Sequence, residues 1–256
     1  MSFTGTEMNI MLIIILAIMA LSMFKGYRDG FLRSAFSVVS WLIAIVLVTA
    51  INPQVTSFIE NNTQIDDSIA SSVEDYLKEN GLKSLEGENY SEMTLSADMS
   101  DTEIGNIFGD ALQGSGLELP ESALDFLTDG AIESVEGLVE ESGVYKVMAE
   151  NISHFIIKGI AFLITWIIVW FVLLLIENSL NLVSYIPVLG TVNRTLGIIA
   201  GAFKVLLLIW IFFYIVSLCC TTEFGAVCIS QIRSSAILTW LYENNLLLRF
   251  VVGLFA

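Results

Sequence analysis

The chain has 256 residues, 55% of them hydrophobic and 15% charged, with a formal net charge of −16. It is too apolar and too poor in charge for an average soluble domain of this size, which points to a membrane class. Asn52 to Ser153 carries 22 of the 27 Asp and Glu against Lys78, Lys83 and Lys146, a net −19 that leaves +3 for the rest. Such a stretch repels nucleic acid and anionic headgroups and favours basic partners.

Four segments have the length and apolarity of spanning helices: Met8–Phe24, Ser34–Ile51, Gly159–Ile176 and Gly197–Leu218. At 1.5 Å rise per residue they cover about 25 to 33 Å, the hydrocarbon thickness within ordinary tilt and snorkelling. The predicted fold class is therefore all-α: a polytopic membrane protein with about four transmembrane helices and a large acidic, partly helical extramembrane loop. Its predicted parts are an N-terminal transmembrane hairpin (1–51), the acidic loop (52–153), a C-terminal transmembrane hairpin (154–218) and an amphipathic tail (219–256).

After the first span come Lys25, Arg28 and Arg33 against a single Asp29. Cationic flanks stay cytoplasmic, so the N-terminus and the acidic loop are expected outside. Gly26 and Gly30 flank this basic group and are read as the residues that let the chain reverse between two spans. Within the acidic loop, Ile65, Ile69, Val73, Tyr76 and Leu77 recur at helical spacing. A longer amphipathic helix is expected from Pro120 to Met148, whose apolar face carries Leu124, Leu127, Ala131, Val135, Leu138 and Val139. The intervening Asn80–Gly116 is rich in Gly, Ser and acid and is expected to be poorly ordered.

The lone histidine, His154, and Lys158 stand at the edge of the third span. His154 has no serine–carboxylate or metal-ligand arrangement around it, so the sequence predicts no catalysis, no cofactor and no metal. Between the last two spans, Tyr185 to Gly190 is too apolar for an ordinary connection and too short to span, which suggests an interfacial or re-entrant segment turning at Pro187 and Gly190. Arg194 is an interface residue beside it. Gly197 and Gly201 form a G-x-x-x-G pair that can admit another helix backbone closely. Lys204 lies seven residues into the fourth span, about 10 Å deep, and is read as snorkelling to the interface. Cys219, Cys220 and Cys228 lack zinc or redox spacing. In the tail, Ile229, Ile232, Ala236, Trp240 and Leu241 suggest an amphipathic helix, while Leu246–Leu254, interrupted by Arg249, is short for a fifth span.

Two of these segments carry a family resemblance. Gly26-Tyr27-Arg28-Asp29-Gly30-Phe31-Leu32-Arg33-Ser34, between two spans, resembles the Gly-aromatic-basic-x-Gly-Phe segment of the colicin V production protein (CvpA) family of small bacterial inner-membrane proteins. Pro187-Val188-Leu189-Gly190, then Asn193-Arg194, then Gly197 and Gly201 resemble its second motif. The resemblance covers Asn9–Ile51 and about Ile156–Leu218, and the chain departs from it in the acidic insertion. It implies a multi-pass protein of the bacterial inner membrane, associated with colicin V production or export and with envelope maintenance, and transfers no catalytic residue. The expected role is a membrane accessory or scaffold protein that sits in the lipid bilayer, self-associates and meets an envelope or secretion protein through the acidic loop. The alternative is a small oligomeric channel or transporter built around Lys204 and the Pro187–Gly201 region.

Overall fold

The structure, a computed structural model, describes residues 9–80, 94–136, 142–180 and 191–255. Among these, helices dominate: α1 (Ile10–Asp29), α2 (Phe31–Asn62), α3 (Ile65–Asn80), α4 (Asp101–Gly114), α5 (Glu121–Glu136), α6 (Val144–Leu180), α7 (Thr191–Leu218), α8 (Glu223–Arg233), α9 (Ala236–Glu243) and α10 (Leu246–Phe255). The strands β1 (Thr94–Leu95) and β2 (Ser142–Gly143) pair antiparallel, Thr94 opposite Gly143 and Leu95 opposite Ser142.

Among the described residues, four helices are long and apolar enough to cross a membrane: Ile10–Asp29, Ile43–Asn62, Val144–Leu173 and Thr191–Leu218. Each of α1, α2, α6 and α7 overruns its expected limits, α2 and α6 furthest. Helix α2 does not stop at Ile51 but continues through Pro53 to Asn62, and α6 starts fifteen residues before Gly159, at Val144. In both, the span and the polar stretch beside it share one continuous helix. Composition marks where the chain turns polar, not where backbone hydrogen bonding ends. In the tail, α8 and the stretch Ala236–Gly253 are bent by 116°, which is a broken span or a re-entrant pair by length and composition.

The chain divides into two compact units. One comprises Met1–Ile51, Ile164–Ile215 and Val227–Leu247. Its α1 begins at Asn9, whose side-chain oxygen caps the Leu12 N–H at 2.9 Å and whose amide donates to the Gln231 carbonyl at 2.5 Å and to Ser234 Oγ at 2.9 Å. Around the tail, Asn245 donates to the Trp210 carbonyl at 2.9 Å, and the Phe213 and Tyr242 rings meet edge to face with centroids 5.7 Å apart. Arg233 bridges the α8–α9 break to Glu243 at 2.5 Å and lies over the Tyr242 ring. The expected tail stripe is corrected by that break. Ile229 and Ile232 are buried, but within α9 the buried positions are Leu238 and Tyr242, while Trp240 and Ala236 are exposed.

The other unit comprises Asn52–Leu163, Val216–Ala226 and Leu248–Ala256, and so contains the acidic stretch. Helix α3 carries Asp66 and Asp67 in its first turn, Lys78 in its last, and a Glu74–Lys78 pair at 2.7 Å, all in the sense that favours the helix dipole. The expectation of poor order across Asn80–Gly116 is corrected over residues 94–116. Residues 81–93 lie outside the described part, but β1 and α4 follow, and α4 packs on α5. Ser100 and Glu103 supply the S-x-x-E pattern of a capped helix start, the Glu103 N–H reaching Ser100 Oγ at 3.3 Å. Ile104, Phe108 and Leu112, four apart, are buried. The single helix expected from Pro120 to Met148 is also corrected: α5 is described to Glu136, Leu138 and Val139 of the expected face lie outside the described residues, β2 follows, and Val144 opens α6. With Val73, Leu77, Leu127, Val135, Met148 and Phe155, these residues form an apolar core, and Ser153 Oγ donates to the Asp66 carbonyl at 3.0 Å to join α6 to α3.

Candidate functional site

The closest helix contact in the first unit is a crossing of α1 with α7 made from backbone. A Cβ added at Gly26 would strike the Gly197 carbonyl oxygen and lie 3.3 Å from the Gly201 Cα. One added at Gly197 would come to 2.9 Å from the Gly26 carbonyl carbon and 3.0 Å from that of Gly30. One at Gly201 would meet the Ser22 carbonyl. Ser22, Gly26 and Gly30, each four apart, thus form the small-residue edge of α1 that receives Gly197 and Gly201. Ser22 Oγ donates to the Gly201 carbonyl at 3.0 Å, a side-chain hydrogen bond between helices 179 positions apart in sequence. Such approach depends on glycine, and it substitutes van der Waals and polar contact for the hydrophobic drive that lipid does not supply.

Gly26 is therefore not a turn residue. It lies inside α1, buried, and the reversal falls on Gly30, whose φ of 80° is the left-handed conformation that glycine adopts without strain. The Gly30 N–H closes the helix on the Gly26 carbonyl at 2.8 Å. The buried positions of α1 are Ile15 and Gly26, so this edge and the Asn9 cap hold a helix that otherwise turns apolar side chains outward.

The crossing gathers basic side chains at one end of the α1–α7 pair. Lys25 and Arg28, beside Gly26, are exposed, as is Arg194, one turn before Gly197. Arg28 lies 4.0 Å from Asp29. The Arg33 side chain lies outside the described residues, as do Pro187 and Gly190 with the whole candidate re-entrant segment. Lys204 is half-buried in α7. His154 is exposed, and Lys158 lies over the Phe126 ring, its Nζ 5.5 Å from the centroid. Cys219 is half-buried, Cys220 and Cys228 are buried, and none is in a disulfide. Burial pushes the Cys220 thiol up to about 12, which suits a packed residue and not a reactive one. Ser22 and Asn9 were not singled out from the sequence. The signal for Ser22 was its place four residues before Gly26, extending the small-residue repeat.

Spanning-length apolar helices joined through a glycine crossing define an all-α, polytopic membrane protein. Comparison with protein families carries this further: the chain belongs to the colicin V production protein family, whose model matches residues 13–75 and 131–245, more than half of the chain. It is accordingly a bacterial membrane protein of a family linked to colicin V production. No curated protein and no solved structure matches it. The crossing unites the two motif segments of the sequence, Gly26–Gly30 and Gly197–Gly201, and both lie within the matched residues. The unmatched interval, 76–130, contains the end of α3, all of α4 and the first part of α5.

Proposed function

We propose that the protein is a non-catalytic accessory or scaffold of the bacterial inner membrane, acting in toxin production or export or in maintenance of the envelope. Its glycine-locked helices hold it in the bilayer, and the acidic unit is the surface on which an envelope or secretion protein docks. The observation that carries this reading is the core inside the acidic stretch: Phe108, Ile104 and Leu112 of α4 are buried in a segment outside the family match. Burying these side chains offsets the chain entropy of an ordered body, whereas a merely solubilising acidic tail needs no such core. Lys25, Arg28 and Arg194 at one end of the α1–α7 pair support a cytoplasmic place for that end, and with it an N-terminus and acidic stretch on the outside by alternation of the spans.

A photo-crosslinking residue at the exposed Asn106 of α4 tests the reading in intact cells, with the exposed Ile167 of α6 as a lipid-facing comparison. Recovery of one defined envelope or secretion protein from Asn106, and none from Ile167, is expected. Adducts only to the protein itself from Asn106, Thr102 and Asp110 alike would overturn the docking role.

The channel reading has one observation in its favour. Asn52 Oδ1 and Thr56 Oγ1, one turn apart in the candidate span Ile43–Asn62 of α2, are buried without a hydrogen-bond partner, and polar groups inside a span commonly line a water or ion path. Flux through liposomes holding the purified protein, abolished by Lys204→Met at unchanged insertion, would replace the scaffold with a transporter.

A further inference from the structure

A half-open cleft of about 770 Å³ in the second unit lies between α5, the start of α6 and α10. Its floor on α5 is Ser122, Phe126, Gly130 and Ser134, a run four residues apart. Asp125, Asp129 and Glu133, also four apart and all exposed, edge it with carboxylates. Lys158 of α6 and Arg249 of α10 contribute the opposite charge, and His154, one turn before Lys158, lines the same wall. Among the described residues, none of Asp125, Asp129, Glu133 and Arg249 forms an ion pair, so these carboxylates and the guanidinium line one cleft without closing on each other. Ser122 Oγ is buried there without a hydrogen-bond partner. The space depends on a glycine: a Cβ at Gly130 would come to 2.7 Å from Asn151 Oδ1, where Asn151 is fixed by its bonds to the Val147 carbonyl and to Ser134 Oγ.

We infer that this cleft binds a dipolar phosphoethanolamine group, its ammonium toward Asp125, Asp129 and Glu133 and its phosphate toward Lys158, Arg249 and His154. A primary ammonium has three N–H donors to spend on a row of carboxylates, whereas a quaternary ammonium has none. A phosphodiester accepts from guanidinium and ammonium donors together. Phosphoethanolamine carries both ends at zero net charge, so neither wall of the cleft repels it. The position fits a headgroup, because Lys158 immediately precedes the apolar run from Gly159 to Ile176 and α10 brings apolar Val252 to the cleft. The inference goes beyond the docking role and does not depend on it.

The test uses the full-length purified protein in detergent, with short-chain phosphatidylethanolamine, phosphatidylcholine and phosphatidylglycerol titrated separately and bound lipid counted by native mass spectrometry. Phosphatidylethanolamine is expected to bind about tenfold or more tightly than the other two, the scale of one or two charge-assisted hydrogen bonds. Combining Asp125→Asn, Asp129→Asn and Glu133→Gln should remove that preference while leaving phosphatidylglycerol binding unchanged or tighter. Combining Lys158→Met and Arg249→Met should weaken phosphatidylethanolamine and phosphatidylglycerol alike. Helical circular dichroism and elution volume equal to the parent's are required of each variant, and single substitutions replace any combination that fails this. Water-soluble glycerophosphoethanolamine that competes identifies a site for the free group as well as the lipid. Failure to compete, with lipid preference intact, assigns the site to the membrane lipid. Equal binding of phosphatidylethanolamine and phosphatidylcholine, or a preference that survives the amide substitutions, would overturn the inference.

Discussion

At Gly201 the backbone of α7 lies against α1 so closely that a Cβ would collide with the Ser22 carbonyl oxygen and come to 3.1 Å from its carbon. The obstacle is backbone on both sides, so it cannot rotate away as a side chain can. Gly201→Leu should therefore cost about 1–3 kcal/mol or more, the range for overpacking a tight contact. Leu208→Ala removes a similar amount of apolar side chain from an exposed face of α7 and should change stability little. Thermal unfolding in detergent compares the two. A Gly201→Leu protein as stable as Leu208→Ala would show that the helices do not meet on glycine. Half of this arrangement could be read from sequence: the G-x-x-x-G pair at Gly197 and Gly201 announced a close helix contact. Gly26 could not be placed, because a glycine beside Tyr27, Arg28 and Asp29 reads equally as turn chemistry, and only the tertiary contact reveals which glycine packs and which, at Gly30, reverses the chain.

Among the elements, α4 departs furthest from expectation. Its Gly105 and Gly109, low apolar content and acidic neighbours read as a disordered composition, yet Ile104, Phe108 and Leu112 keep strict four-residue spacing and meet α5. Spacing outweighs composition here because α5, on which α4 packs, presents the buried Leu127, Ala131 and Val135 as an apolar surface. Phe108, with no exposed surface, should cost about 3–5 kcal/mol when replaced by alanine. Limited proteolysis of the purified protein should then cut within residues 94–116 at protease concentrations that spare the parent. Unchanged resistance would mean that α4 does not share the core. Helix α3 was legible because its apolar repeat is uninterrupted and its end charges agree with the dipole. The stop at Ser235 that separates α8 from α9 was not. The apolar residues on either side fit one continuous stripe by number alone, and the break shifts the buried face from the Trp240 side to Leu238 and Tyr242.

For the whole molecule, an apolar membrane region and an acidic one were evident from charge and hydropathy, since the lipid and aqueous solvents sort residues by transfer free energy. The helices cross that compositional divide: α2 and α6 each continue from apolar into polar sequence without a break. The acidic unit can meet an envelope or secretion protein outside the cytoplasm only if it lies on the extracytoplasmic side of the membrane. Single cysteines at Ala97, in an exposed turn before α4, and at Tyr27, in the basic end of α1, measure it directly in a variant whose Cys219, Cys220 and Cys228 are replaced by serine. In intact cells whose outer barrier has been permeabilised, a membrane-impermeant maleimide should label position 97 and reach position 27 only after the inner membrane is opened. Labelling of position 27 with protection of position 97 would turn the acidic unit to the cytoplasm and contradict the account.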